Sequence, residues 1–268
     1  MNLDPTKLVE HVNDAPAFEF PFGIELHLPK IFGHQLTKFM VLEVVAAALM
    51  ILIFVPLARR MAGGKPPKGR FWNLFEAMIV FLRDEVVRPG VGRRDADRFL
   101  PLILTLFFFI LFCNLLGLLP GLGSPTASIS TTAPLALVAF LAGTVAGMKK
   151  YGAFGFWTGL CPHMDLPPAM KIILVPMIVC LEIVGLLIKY CILAVRLLAN
   201  MFGGHFVLAM IVGFIPAMAG TLLWYGVTPM AILGGTAICC LELFFGFLQA
   251  YIFAFLAALF IGMSAHQH

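Results

Sequence analysis

Charge is scarce in this chain. Only 12% of its 268 residues are Asp, Glu, Lys or Arg, while 61% are hydrophobic, and the mean hydropathy is +0.98. Such a composition excludes an ordinary soluble domain. Alternation of period two is missing, which argues against an outer-membrane barrel. CxxC spacing is missing as well. The six cysteines (Cys113, Cys161, Cys180, Cys191, Cys239, Cys240) lie mostly in apolar stretches and read as small hydrophobic filler, not as disulfides or metal ligands. No GxxxxGK[ST] phosphate loop occurs, so nothing suggests ATP chemistry in this chain. The start, "MNLDPTKLVE", is acidic and without an apolar core, so it is not read as a cleavable signal.

The apolar runs are present in excess. Several exceed the roughly 18 residues that suggest a membrane-spanning helix, and helices are the open structures that satisfy their own backbone in lipid. The expected fold is an all-α polytopic membrane protein. Residues 1–38 are mixed, with Pro and Phe punctuation, and read as a water-facing or interfacial leader to a membrane domain over 39–268. A first span is expected from about Phe39 to Leu57, ended by "ARR". "FWNLFEAMIVFLRDEVV" carries Glu76, Arg83, Asp84 and Glu85 among apolar residues at helical spacing, as expected for an amphipathic helix lying along the membrane surface. Further spans follow at about Phe99–Leu119 and over "PLALVAFLAGTVAGM", whose Gly143 and Gly147 form a GxxxG that permits close packing.

The net charge of +4 does not point to nucleic acid. Ten of the eighteen Lys and Arg lie between Arg59 and Arg98, beside apolar runs, where they report orientation. The basic segments 58–98 and 149–150 share one side and the charge-free loop 120–132 lies opposite. The positive-inside tendency then places the basic side in the cytoplasm, the N-terminus outside and the C-terminus inside.

After Lys171 the pattern changes. The chain stays apolar to about Gly220, some fifty residues or about 75 Å of helix at 1.5 Å per residue. A bilayer core is about 30 Å thick, so an upright single span is excluded. Either a hairpin turns at Gly203 and Gly204, or one helix lies steeply tilted. Residues 228–263 show the same excess length. Two overlong neighbours suggest a tilted hairpin, 171–263, pressed against another surface. The expectation is about five membrane helices plus the interfacial one.

Polar residues crowd into this hairpin: Glu182, Lys189, Arg196, Asn200, His205, Glu242 and Gln249. A charge at mid-bilayer costs from about 2.5 to more than 10 kcal/mol. An isolated Asn or Gln can serve by bonding a neighbouring helix, and a lone His can be structural, but seven such groups in two helices point to an ion pathway. Glu182, Lys189 and Arg196 recur every seven residues and fall within about 40° of one another on a helix. Asn200 lies one turn beyond Arg196, near the same face, and His205 points to the opposite side. Glu242 and Gln249, also seven apart, share a face of the second long helix. Arg keeps its proton even when poorly solvated, which suits Arg196 to be a fixed charge, whereas Glu182, Glu242 and His205 can bind and release protons.

At "RLLANMFGGH", with "LELFFGFLQAYIF" about forty residues later, the chain resembles subunit a of the F-type ATP synthase. The shared signature is an Arg-Leu pair, an Asn four residues after the Arg, and a downstream Gln-Ala before aromatic residues. The resemblance extends from about the first span to the C-terminus. It implies a stationary subunit of the membrane sector, in contact with b subunits and with a rotating ring of c subunits, in an energy-transducing membrane such as the bacterial inner membrane. It further implies no cofactor and no catalysis by this chain alone.

By the same resemblance Arg196 matches an essential arginine that attracts each ring carboxylate and separates two aqueous half-channels. Asn200 matches the polar position beside it, and Gln249 the glutamine that faces it. Glu182 matches an acid of the cytoplasm-facing half-channel, and His205 with Glu242 match the acid and imidazole of the opposite one, in exchanged positions. Lys189 is included for its place on the polar stripe. Asn114 matches a polar position on the second span, and Gly117 stands where some relatives carry an acid, which weakens that inlet contact.

Two other readings are retained. A secondary transporter predicts internal repeats with interrupted helices, and no duplication is visible. A Na⁺-translocating version of the same subunit is the other, against which the His205 and Glu242 pair favours H⁺. Cys161, His163 and Asp165 in "CPHMD" have metal-compatible side chains on a short loop but are not read as a metal site.

Overall fold

The structure, a computed structural model, describes residues 17–19, 25–27, 30–31, 34–35, 37–62, 69–93, 95–119, 122–152, 168–218 and 220–265. Among the described residues, the regular structure of the membrane part is all helical. Helix α1 spans Lys38–Ala62, α2 Arg70–Phe81, α3 Arg88–Val91, α4 Ala96–Gly117, α5 Ile129–Tyr151, α6 Pro168–Ala217 and α7 Trp224–Ala265. Among the described residues, five helices are long and apolar enough to cross a membrane. Before them the leader forms two antiparallel ladders, β1 Ala17–Glu19 with β2 Glu25–His27 and β3 Lys30–Ile31 with β4 His34–Gln35, which hydropathy alone does not announce. The CPHMD segment lies outside the described residues.

The two readings of the long apolar stretch are decided in favour of the single helix. α6 runs without interruption for 50 residues, through both Gly203 and Gly204. A glycine pair costs a helix roughly 1 kcal/mol per residue relative to Ala but does not by itself stop it. The turn comes later, at Gly220 with φ 90°, a left-handed conformation that glycine adopts without strain. α7 then returns for 42 residues. Helices of this length fit a bilayer only as strongly tilted rods.

The core is built around α7. Ala250, Ala254, Ala257, Ala258 and Ile261 are fully buried, and the four alanines let α4, α5 and α6 approach closely, as packing without a hydrophobic driving force requires. Phe107, Phe108 and Ile110 of α4 and Leu193 and Leu197 of α6 complete the same cluster. On α5 the GxxxG has a specific use: a Cβ at Gly143 would lie 2.9 Å from the Tyr190 hydroxyl oxygen of α6. α1 is held through its Phe54 ring, 4.4 Å from that of Phe108.

The amphipathic segment packs one face against the helical core and leaves the other exposed. Phe71 and Leu74 are exposed, but Leu82, Val86, Val87 and Val91 are buried. Between α2 and α3 the backbone widens into a π-helix over Leu82–Val87, a local insertion that shifts which side chains face inward. Beyond it Gly90 packs against α7 so closely that a Cβ at Gly262 would overlap the Gly90 carbonyl oxygen. The charged edge of this segment is tied down by Arg88 Nη1 to Asp84 Oδ1 at 2.6 Å and Arg83 Nη2 to Asp97 Oδ1 at 3.0 Å.

Candidate functional site: the ionisable groups of the helical hairpin

Two contacts join α6 to α7 through their polar residues. Asn200 Nδ2 donates to Gln249 Oε1 at 2.8 Å. His205 Nδ1 lies 3.8 Å from Glu242 Oε2, an ion-pair separation too long for a hydrogen bond. The register is that of an antiparallel hairpin: moving five residues forward on α6, from Asn200 to His205, corresponds to moving seven back on α7. The sequence expectation put Asn200 and His205 on different sides of α6, and both nevertheless reach α7. Asn200 does so from the exposed edge of the seam, and His205 from its half-buried interior.

Glu242 is buried, with 6% of its surface exposed, and among the described residues neither of its carboxyl oxygens accepts a hydrogen bond. Its space is provided by Gly204, where a Cβ would lie 2.6 Å from Glu242 Oε1 and 3.0 Å from Cγ. Gly204 is therefore a fitted position under the carboxyl and not a chain reversal. Gln249 is buried too, and its Nε2 has no acceptor among the described residues.

Arg196, Glu182 and Asn200 lie on the exposed face of α6, and Lys189 is half-buried. Among the described residues Arg196, Glu182 and Lys189 form no hydrogen bond or ion pair. Residues seven apart are separated by about 10 Å along a helix, so Glu182, Lys189 and Arg196 cannot neutralise one another in pairs. Their face is otherwise apolar: Leu181, Ile188, Ile192 and Val195 are all exposed. Two glycines share it, Gly185 and Gly203, and a Cβ at either would meet nothing within 4 Å.

Asn114 of α4 is buried and fully engaged. Its Nδ2 donates to the Gly246 carbonyl oxygen at 3.0 Å, and its Oδ1 accepts from Thr126 Oγ1 at 2.6 Å. Ser124 Oγ lies 2.7 Å from that same hydroxyl. Gly246 is one helical turn beyond Glu242, so Asn114 sits beside the His205–Glu242 pair while tying α4 to α7. Gly117 has no room for an acid, because a Cβ there would overlap Ser124.

Sequence reasoning missed three groups. Glu43 of α1 accepts a hydrogen bond from Thr131 Oγ1 of α5 at 2.6 Å. Lys38, at the start of α1, is 4% exposed, with its Nζ 5.2 Å from the centre of the Phe39 ring. Gly204 is the third. The signal for Glu43 was present: it is an acid inside a membrane span, the same anomaly that singles out Arg196. Among the described residues there is no cluster of three His, Cys, Asp or Glu able to hold a metal.

Five apolar helices among the described residues, the last two a hairpin with ionisable groups at its seam and on its outer face, define a multi-pass membrane protein. The chain belongs to the ATP synthase A chain family, whose pattern matches residues 40–262. It is 40% identical to ATP synthase subunit a of Chloroherpeton thalassium, over 98% of this chain and 79% of that one. It is 35% identical to subunit a of Anaeromyxobacter dehalogenans strain 2CP-C, over 97% and 70% of the two chains. The Myxococcus xanthus subunit a is 34% identical, over 96% and 88%.

Proposed function

We propose that this chain is the stator of a proton-driven rotary motor, with 171–263 as its ion path and 1–38 as an extracytoplasmic leader. The observation that carries the reading is the placement of Arg196. A guanidinium on an exposed apolar face, with no ion-pair partner among the described residues, is suited to meet a carboxylate brought by another subunit. The open space at Gly185 and Gly203 on that face fits the close approach of a packed ring of c subunits.

The roles follow from the chemistry. Each ring carboxylate arriving at Arg196 is held as an anion by a cation that keeps its proton. Once it has taken up a proton it is neutral and can move on into lipid, which an anion cannot do without a large cost. Arg196 also separates two water-accessible paths, because a fixed positive charge repels a proton passing directly between them. Glu182 serves the cytoplasmic path. His205 and Glu242 serve the outer one, where an imidazole beside a carboxyl can exchange a single proton. Asn200 and Gln249 fix the crossing of α6 and α7 beside the arginine, Lys189 adds positive potential on the polar stripe, and Asn114 holds the wall beside Glu242. The imidazole favours H⁺ over Na⁺ as the ion carried.

The basic segments around Arg59 and Arg98 and at Lys149 and Lys150 favour a cytoplasmic position for that side, with the N-terminus outside and the C-terminus inside an energy-transducing membrane, such as the bacterial inner membrane. ATP chemistry belongs to other subunits of the assembly, and b subunits complete the stator. Reconstitution of the whole synthase with Arg196→Ala tests the reading. ATP-driven acidification of the vesicle lumen is abolished on this proposal, and normal pumping by an assembled Arg196→Ala complex would defeat it.

A further inference from the structure

We infer that Glu43 is a third protonatable group of the outer proton path, lying on α1 and feeding the His205–Glu242 pair. The inference rests on the half-channel reading above. Its starting point is an acid inside the first membrane span, Lys38–Arg60, where a carboxylate is costly and is retained mainly for function or for a partner. The partner is Thr131, whose hydroxyl donates to Oε1 at 2.6 Å. That bond leaves Oε2 without a hydrogen-bond partner among the described residues and thus able to accept a proton.

The surroundings lead toward Glu242. Thr131 is 5% exposed and stands at the start of α5, just after the segment that carries Ser124 and Thr126. Thr126 bonds Asn114, and Asn114 bonds the carbonyl of Gly246 on α7, one turn from Glu242. Hydroxyls both donate and accept, so a proton released from Glu43 Oε2 finds acceptors through this wall, bridged by water, and ends on His205 or Glu242. Glu43 is restored by a proton from the outer aqueous phase. A purely structural role does not need an acid: a glutamine carbonyl would accept from Thr131 equally well.

That difference sets the experiment. The whole synthase carrying Glu43→Gln, Glu43→Asp or, as a control on the half-channel itself, Glu242→Gln is reconstituted into vesicles. ATP-driven acidification is measured per assembled complex, with assembly read from copurification of the ring. Glu43→Gln assembles and pumps about tenfold or more slowly, within the range that a lost proton-transfer group produces, while Glu43→Asp keeps most of the rate. Parental pumping by Glu43→Gln, with Glu242→Gln inactive, overturns this inference and leaves the half-channel reading intact. Parental pumping by Glu242→Gln removes that reading itself. Failure of Glu43→Gln to assemble, or equal loss in Glu43→Asp, makes Glu43 a packing residue and also overturns the inference.

Discussion

Gly204 and Glu242 are fitted to each other: the α6 backbone passes so near the α7 carboxyl that a single methyl group on Gly204 would lie 2.6 Å from Oε1. Real Cβ atoms do not tolerate that distance, so Gly204→Ala must move the carboxyl or push the helices apart. Either displacement separates Glu242 from His205, which stand 3.8 Å apart. Gly204→Ala is expected to lower proton flux about tenfold or more, since a displaced proton-transfer group loses most of its effect. The measurement is ATP-driven acidification in reconstituted vesicles, normalised to assembled complex. An unchanged rate would show that the fit has no functional consequence.

Exchanging His205 and Glu242 for one another keeps one acid and one imidazole across the seam. The double exchange is expected to retain substantially more proton flux than His205→Ala or Glu242→Ala, each of which removes one member and loses about 10²-fold on the scale of a general acid or base. Passive proton conduction through the membrane sector checks this. Equal damage from all three variants would remove the idea of a paired site.

The Asn200–Gln249 hydrogen bond at 2.8 Å is expected to act as a measurable clamp between the long helices. A double-mutant cycle over Asn200→Ala and Gln249→Ala should give a coupling of about 0.6 kcal/mol, and at most about 1.7 kcal/mol, as interhelical bonds in membranes do. Equilibrium unfolding in mixed micelles reads it. Zero coupling would mean that the two amides act independently.

Hydropathy and charge spacing were enough to reveal the five membrane helices and the excess length of the last two, because lipid imposes long, uninterrupted apolar runs. They did not decide between a turn at Gly203–Gly204 and a continuous helix. Glycine permits both, and the helix continues through the pair to Ala217. The His205–Glu242 pair came through family resemblance, which set Gln249 against Arg196 and did not announce its bond to Asn200; the angular position of a residue on one helix does not say which neighbour it will face. Glu43 was legible as an anomaly, an acid in an otherwise apolar span. Its partner Thr131 was not, being eighty-eight residues away on a helix whose register against α1 no local rule provides. Gly204 looked like a breaker for the same reason: the carboxyl it makes room for comes from another helix.

The alanine seam of α7 has a mechanical meaning. On the stator reading proposed above, a rotor driven past α6 returns an equal and opposite twist to the part it pushes on, and any give in that part is work lost between ion and shaft. Ala250, Ala254, Ala257 and Ala258, fully enclosed by neighbouring helices, have no side-chain torsions that can yield. Gly90 and Gly262 lock backbone against backbone at the far end. The stiff member is thus the helix behind the working surface. Enlarging any of these alanines should loosen the bearing and lower the number of ions that do useful work, before the stator itself falls apart.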